Sequence, residues 1–186
     1  MLMISIQELD KKELHSHAHK LLRECLRPLG VEYDENTPVI KGKMGKPSLA
    51  ERPGIHYNIS HSKGIAACIV SDRRCGIDCE AVREYRPNVM RRAFSEAERR
   101  SVEEAPENMR DELFFRLWTL KEAYVKALGI GISYPLDTVE FSFEGDRIIT
   151  NVKDCRFRQY LVGGGRYAVS VCELSDASES RGSRQQ

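Results

Sequence analysis

A long helical pattern dominates the second half of the chain. Between Asp111 and Gly129, apolar residues recur at helical spacing and cover a broad arc, as is typical of a mostly buried helix. Lys121 falls inside this arc, and Glu122 and Lys126 lie together at its edge, four residues apart on one face. Because a buried charge is costly unless it is paired, we expect Lys121 to meet a carboxylate or a carbonyl group inside the protein.

Shorter patterns predict the other elements. Apolar periodicity predicts a helix from Lys11 to Leu29 that ends at Gly30, and Ser95 with Glu98 predicts a capping box at the start of another helix. Strands are predicted at residues 1–6, 55–59, 65–70 and 75–80, followed by an antiparallel meander over residues 139–143, 147–152, 156–162 and 167–172. Gly and Pro predict a loop at residues 41–54, and residues 175–186 form a polar tail that we expect to be disordered.

The strand at residues 75–80 carries two carboxylates on one face. Side chains alternate along a strand, so Cys75, Ile77 and Cys79 are predicted to face the core, and Asp78 and Glu80 the opposite side. Adjacent like charges repel each other, and a cation between them would remove that repulsion. Ligands that are all oxygen favour a hard ion such as Mg²⁺. On this stretch alone, a solvent-exposed strand edge remains the alternative.

Two further stretches carry groups suited to phosphate. Lys46 lies between Gly45 and Pro47, which predicts a fixed turn that aims the lysine. Ser60 and His61 follow a predicted strand and, with a nearby glycine, could hold a phosphate through hydroxyl, imidazole and backbone N–H groups. An ordinary polar turn explains Ser60 and His61 equally well.

Composition narrows the class of protein. The 186 residues are 41% hydrophobic and 31% charged, and the net charge of +1 gives no bulk attraction to nucleic acid or an anionic membrane. No apolar stretch is long enough to cross a bilayer.

Histidines two residues apart on a helix point in different directions, so solvated or partner-facing roles are predicted for His15, His17 and His19. The six cysteines lack zinc-site spacing and predict reduced thiols in a cytoplasmic protein: Cys25, Cys68, Cys75, Cys79, Cys155 and Cys172.

The order of these pieces resembles that of a known enzyme family. The series runs from Gly45-Lys46-Pro47 through Asn58-Ile59-Ser60-His61-Ser62, Gly76-Ile77-Asp78-Cys79-Glu80 and Phe94-Ser95 to Trp118-Thr119-Leu120-Lys121-Glu122-Ala123-Tyr124-Val125-Lys126. It resembles the 4′-phosphopantetheinyl transferases of the Sfp type, from about residue 46 to residue 135. Single pieces are weak signals, whereas the carboxylate strand followed at this interval by W-x-x-K-E-x-x-x-K is far more specific.

The resemblance implies the fold and the reaction. The expected fold is α/β (α+β), with two pseudo-symmetric halves that each pack a small antiparallel-rich sheet against a long helix. We expect a shortened N-terminal half at residues 1–74, a C-terminal half at residues 75–174 and the tail at residues 175–186. Coenzyme A would bind in the cleft between the halves. The family transfers the phosphopantetheine arm of coenzyme A to a serine of a carrier protein and releases adenosine 3′,5′-bisphosphate.

The matched motifs also imply roles for individual residues. Asp78, Glu80 and Glu122 would ligate Mg²⁺, which Mn²⁺ could replace. Asp78, Glu122 and Lys126 would form the catalytic group, with Glu122 as the first candidate base and a neutral Lys126 as the second. Trp118, one turn before Glu122, is expected to be a packing wall.

The coenzyme contacts follow from the same match. Lys46 with its neighbour Pro47, Ser60 and His61 would hold the phosphates, and Lys126 would lie on the pyrophosphate side. Candidates for the 3′-phosphate contact are Lys20, Arg23, Lys41 and Lys43.

The expected partner is an acyl or peptidyl carrier protein, with no nucleic-acid or membrane partner and a monomeric state. Carrier proteins of this kind tend to be acidic, and a basic patch could receive one or could simply be solvated: Arg91, Arg92, Arg99 and Arg100. Two other functions stay open, a Mg²⁺-dependent phosphohydrolase or nuclease and a non-catalytic module that binds carrier proteins.

Overall fold

The computed structural model describes residues 1–131 and 134–175. Residues 176–186, most of the tail predicted to be disordered, lie outside these ranges. The helices are α1 (Lys11–Leu26), α2 (Pro87–Ala93), α3 (Glu96–Glu104) and α4 (Glu107–Leu128). The strands are β1 (Leu2–Ile6), β2 (Val39–Lys41), β3 (Pro47–Leu49), β4 (His56–Ser62), β5 (Ile65–Ser71), β6 (Cys75–Ala81), β7 (Phe141–Glu144), β8 (Arg147–Thr150), β9 (Cys155–Val162) and β10 (Tyr167–Leu174).

The first half packs α1 against an antiparallel sheet of order β1-β5-β4. Asp10 caps α1 by accepting from the Glu13 backbone N–H at 2.8 Å, and the Glu13 carboxylate accepts from the Asp10 N–H at 2.9 Å. The apolar stripe of α1 then packs on one face of β5. The other face of β5 packs on the second half, so β5 is apolar along almost its whole length.

The second half packs α4 against an antiparallel sheet of order β6-β10-β9. The predicted four-stranded meander is wrong, because β7 and β8 form a separate hairpin and β10 pairs with β6. The reason is that β10 is apolar on both faces: Val169 and Val171 face β5, while Ala168 and Cys172 contact the groups around α4. A strand of that kind is stable in the middle of a sheet, between β6 and β9.

The two halves together confirm the predicted fold class, a mixed α and β protein in which each half packs a small antiparallel sheet on a helix. The sheets lie between the helices and share an apolar cluster from β5, β6 and β10. The chain passes from the first sheet to the second between Ser71 and Cys75. The division at residues 74 and 75 stays a prediction.

The central helix is longer than predicted. It begins at Glu107, directly after Pro106, and ends where Gly129 adopts a φ of 69° and its N–H donates to the Val125 carbonyl. Its predicted burial is confirmed, and Lys121 is fully buried. The Lys121 ammonium lies 2.7 Å from Glu98 Oε2, as the predicted internal pairing requires.

Three short elements were missed, namely strands β2 and β3 and helix α2. The predicted loop at residues 41–54 contains the second strand of the β2–β3 hairpin, whose turn holds Gly45 at a φ of 83° and pairs the Gly42 N–H with the Lys46 carbonyl at 2.9 Å. The turn predicted to aim Lys46 is therefore present. Helix α2 was missed because its seven residues are too few for a helical period to emerge.

The cysteines and the helices fit the sequence-based interpretation. All six cysteines are free, and five of them are buried as small core residues. The capping box predicted at Ser95 and Glu98 is present at the start of α3. Across residues 1–131 and 134–175, every helix is too short or too polar to cross a membrane.

Candidate active site

The two halves meet where β4 lies beside β6, and side chains of β4 form the hydrogen bonds that join the strands. Three alternate residues of β4 point at β6. The Asn58 Oδ1 accepts from the Ile77 N–H at 2.8 Å. Ser60 Oγ donates to Asp78 Oδ1 at 3.0 Å. Ser62 Oγ donates to Glu80 Oε2 at 2.7 Å. The polar alternation in this stretch therefore fixes the position of the carboxylate strand.

A glycine brings the central helix against the same strand. A Cβ atom at Gly76 would lie 2.1 Å from the Ala123 carbonyl oxygen and 2.4 Å from the Ala127 nitrogen. Those atoms belong to the backbone of α4, so only glycine permits this approach without moving the helix. Gly76 and Asp78 share one face of β6, which brings the carboxylate next to the residues that α4 presents. The predicted alternation along β6 is confirmed.

Lys126 and Asp78 form the centre of the site. Lys126 Nζ lies 2.6 Å from Asp78 Oδ1 and 3.1 Å from Ser60 Oγ. Burial lowers the pKa of Lys126, but the charges of Asp78 and Glu122 outweigh it and leave the pKa above its ordinary value. This direction favours the ammonium form of Lys126 at neutral pH. The role of Lys126 as the second candidate base stays a prediction.

The charges of Asp78 and Lys126 also act on Glu122. Burial, followed by the charge of Asp78, raises the pKa of Glu122. Glu80 bonds to a different set of residues. Its Oε2 accepts hydrogen bonds from Ser62 and, at 2.9 Å, from Arg83. Within the described ranges, no three His, Cys, Asp or Glu side chains are arranged as a ready-made metal site. The charges of the predicted ligands Asp78 and Glu80 act on the third, Glu122, but the three carboxylates are not arranged as a complete coordination site.

One atom of the cluster fits a cation. Asp78 Oδ2 is buried and, within the part of the chain that the structure describes, has no hydrogen-bond partner. A buried carboxylate oxygen without a donor costs free energy, which a hard cation would recover. The predicted ligands Asp78, Glu80 and Glu122 all offer carboxylate oxygens, and the charges of Asp78 and Glu80 act on Glu122. The residues present therefore fit Mg²⁺ in their chemistry.

Lys46 lies at the wall of a cavity of about 280 Å³ that Glu122, Lys126 and Asn58 also line. Its ammonium donates to the carbonyl oxygens of Cys75 at 2.7 Å, Lys126 at 2.6 Å and Ala127 at 3.2 Å. Burial lowers the pKa of Lys46 to about 8. Pro47, the other residue predicted to bind coenzyme, is the first residue of β3. The structure thus brings Lys46 to the cavity but directs its amine at backbone.

His61 faces away from Ser60, as alternation on β4 requires, and meets helix α1. Its Nε2 lies 3.4 Å from His15 Nδ1, and the His15 and His19 ring centroids are 4.8 Å apart. Burial, followed by His15 and Lys126, lowers the pKa of His61. The contact of His15 with His61 was not predicted from the sequence. The position of His15 on the polar face of α1 was visible in the sequence, but its proximity to β4 was not.

The remaining candidates have simpler surroundings. Trp118 stacks on Phe114 with centroids 6.4 Å apart and packs on the core, and its predicted role as a wall that fixes Glu122 stays a prediction. Of the candidates for the 3′-phosphate, Arg23 donates to the Tyr33 carbonyl at 2.8 Å. The three lysines are exposed: Lys20, Lys41 and Lys43.

Comparison with known proteins gives one consistent family. The model of the 4′-phosphopantetheinyl transferase superfamily matches residues 74–172. A 4′-phosphopantetheinyl transferase of Bacillus subtilis is 32% identical over 135 residues, which cover 70% of this chain and 60% of the relative. The 4′-phosphopantetheinyl transferase HetI of a Nostoc species is 38% identical over 104 residues, which cover 53% of this chain and 44% of the relative. A solved holo-[acyl-carrier-protein] synthase of Thermotoga maritima is 26% identical, with a TM-score of 0.46, over 55% of this chain and 62% of that chain.

The chain spans about 60% of the length of the Bacillus relatives that it matches. The matched segment begins just before β6 and ends within β10, so it contains Asp78, Glu122 and Lys126. These are the residues on which the motif resemblance depended most. The resemblance is confirmed, and the chain belongs to the 4′-phosphopantetheinyl transferase superfamily.

Proposed function

We propose that this protein transfers the 4′-phosphopantetheine arm of coenzyme A to a serine hydroxyl of an apo carrier protein and releases adenosine 3′,5′-bisphosphate. The observation that carries the proposal is the group formed by Lys126, Asp78 and Glu122 beside the 280 Å³ cavity. It combines an ammonium group bonded to Asp78, a carboxyl group with a raised pKa and a buried carboxylate oxygen that receives no hydrogen bond from the described residues. This combination suits attack on a pyrophosphate, which needs charge neutralisation and a base.

Each residue of the group has a defined task in the proposed reaction. The serine oxygen of the carrier attacks the phosphorus that bears the pantetheine arm, a new P–O bond forms, and the pyrophosphate P–O bond breaks. Glu122 is assigned to accept the serine proton, because it is the carboxyl group that lines the cavity together with Lys126. Lys126 stays protonated and stabilises the negative charge on the departing bisphosphate.

The carboxylates Asp78, Glu80 and Glu122 would hold Mg²⁺ or Mn²⁺. When bound, the ion would neutralise negative charge on the pyrophosphate oxygens. Among residues 1–131 and 134–175, no group donates a hydrogen bond to the buried Asp78 Oδ2, which leaves this oxygen available to the ion. Ser60 keeps the other oxygen of Asp78 in place through its hydroxyl.

The histidine pair is our candidate for a phosphate contact of the coenzyme. His15 and His61 approach each other to 3.4 Å at the α1 side of β4. An anion beside this pair would favour the protonated form of His61, against the burial and the charge of His15 that lower its pKa. We therefore assign His61, as the motif implied, and add His15 to the proposed coenzyme site.

The carrier protein is proposed to dock on the basic surface after β6. Arg100 pairs with Glu96 at 2.9 Å, so its charge is already neutralised. The exposed Arg91 and Arg92 lie on α2, which begins six residues after β6 ends. We propose that an acidic carrier binds there and presents its serine to the site. We propose that the protein acts as a monomer in the cytoplasm, where its free thiols would stay reduced.

The intact mass of an apo acyl carrier protein, measured after incubation with this protein, coenzyme A and Mg²⁺, tests the reaction. We expect a gain of one phosphopantetheine that disappears with EDTA and with Glu122→Gln. A panel of peptidyl carriers extends the test to the second carrier class. Free phosphopantetheine released without any carrier would identify a phosphohydrolase instead. No mass gain across the panel would favour a non-catalytic module that binds carriers.

A further inference from the structure

The ammonium of Lys46 is saturated by backbone carbonyl groups. An ammonium group has three N–H donors. The three acceptors are the carbonyl oxygens of Cys75, Lys126 and Ala127, at 2.7, 2.6 and 3.2 Å. Each N–H of Lys46 therefore has a partner within the protein, and the arrangement leaves no donor aimed into the neighbouring cavity.

The acceptors belong to two elements of the second half. Lys126 and Ala127 lie in the last turn of α4, whose carbonyl groups lack intrahelical donors and carry the negative end of the helix dipole. Cys75 is the first residue of β6. Lys46 itself lies just before β3, in the first half, and its stem packs 3.2 Å from where a Cβ atom of Gly129 would lie. One side chain thus ties the β2–β3 hairpin to the ends of α4 and β6.

The same contact reaches the catalytic group through a single residue. Lys126 presents its carbonyl oxygen to Lys46 and its ammonium to Asp78, at 2.6 Å in each case. A shift of the last helical turn would therefore move the Lys126 ammonium relative to Asp78. It would also move the wall that Lys46, Val125 and Gly129 form around the cavity.

We propose that Lys46 is a positioning residue, which clamps the β2–β3 hairpin onto the end of α4 and the start of β6 and so holds Lys126 in place. This assignment differs from the phosphate contact that the motif implied for Lys46. The clamp is a property of the protein without ligand. Its effect on turnover, in contrast, rests on the proposed transferase function.

Hydrogen–deuterium exchange on the ligand-free protein tests the clamp without any reference to activity. In Lys46→Met, amides in the last turn of α4 and in the β2–β3 hairpin should exchange about tenfold faster or more, the size expected when a charge-assisted hydrogen bond is lost. Lys46→Arg, which keeps charge and donors, should restore part of the protection. Lys43→Met is the matched control, because Lys43 is exposed three residues earlier in the same loop, and its exchange should equal that of the wild type.

Steady-state kinetics separates positioning from binding. If Lys46 positions Lys126, Lys46→Met lowers kcat, and Lys46→Arg recovers part of it. Unchanged exchange in Lys46→Met, together with a raised KM for coenzyme A and an unchanged kcat, would overturn the proposal and identify a phosphate ligand. If Lys46→Met fails to fold while Lys46→Arg and Lys43→Met fold, the clamp is supported. A protein without transferase activity would leave the exchange result standing and would refute the proposed function alone.

Discussion

Lys121→Met tests whether a buried ion pair fixes the central helix. The Lys121 ammonium lies 2.7 Å from Glu98 Oε2, and the two side chains are 0% and 1% exposed. The ammonium also donates to the carbonyl oxygens of Leu136, at 2.8 Å, and Val139. Methionine keeps most of the volume and removes the charge, so the variant leaves the Glu98 carboxylate buried without its cation.

The expected loss of stability follows from how the Glu98 carboxylate can respond when Lys121 is removed. Glu98 still accepts from the backbone N–H groups of Ser95 at 2.8 Å and Phe141 at 2.9 Å, but it can also escape its charge by taking up a proton. Protonation of a carboxyl with the ordinary pKa of 4.5 costs about 3.4 kcal/mol at pH 7, at 1.36 kcal/mol per pH unit. We therefore expect the free energy of unfolding to fall by about 3 to 4 kcal/mol, within the range for a broken buried pair.

The loss of stability caused by Lys121→Met should be smaller at pH 5 than at pH 7. Burial already raises the pKa of Glu98, and loss of Lys121 raises it further above the unfolded value of 4.5. The folded variant then binds more protons than the unfolded chain, so its stability falls as the pH rises above 4.5. Urea unfolding at pH 5 and pH 7 measures this difference. Trp118, the single tryptophan, lies one turn away and reports the transition by fluorescence.

Two variants make the result decisive. Lys20→Met removes an exposed helical lysine on α1 and should change stability by less than about 1 kcal/mol. Adding Glu98→Gln to Lys121→Met should recover much of the loss, because glutamine remains an acceptor without charge. A cost of Lys121→Met below about 1 kcal/mol at pH 7, or a cost that is equal at both pH values, would refute the reasoning.

Three further predictions concern the site. Gly76→Ala forces α4 away from β6, because its Cβ would lie 2.1 Å from a backbone oxygen. The variant should lower kcat at least tenfold in the carrier assay with little change in KM for coenzyme A, whereas full activity would contradict the close approach. Lys126→Met removes the ammonium from the carboxylates, and calorimetry without coenzyme should show tighter Mg²⁺ binding although turnover falls; weaker binding would contradict this competition. Charge reversal at Arg91 and Arg92 should raise KM for the carrier but not for coenzyme A, whereas reversal at the exposed Arg147 changes neither; an equal effect on both substrates would exclude docking there.

The sequence was most informative where a local period determined the outcome. The alternation along β6 separated Cys75, Ile77 and Cys79 from the carboxylates, and the helical period of α4 predicted both its burial and its C-cap at Gly129. In both cases the deciding quantity, the direction of a side chain, repeats every two or 3.6 residues and needs no knowledge of distant residues.

Contacts between segments far apart in the sequence could not be predicted from the periodicity of either segment. Lys121 was predicted to need a partner, but its identity as Glu98 depends on how α3 packs on α4. The same limit applies to Lys46, whose acceptors lie 29 to 81 residues away, and to His15, which meets His61 across 46 residues. The apolar residues on both faces of β10 are compatible with a central strand, but they do not specify that β6 and β9 are its neighbours.

The family match covers the second half, yet the polar groups of the site depend on the first. Asp78 Oδ1 receives a hydrogen bond from Ser60, which lies outside the matched segment, as well as from Lys126. Removing β4 would leave Asp78 with a single donor and would also free Glu80 from Ser62. Two adjacent carboxylates with fewer donors repel each other more strongly, so the strand would lose the geometry that the site requires. The second half alone therefore contains the charges of the site, whereas their arrangement requires both halves.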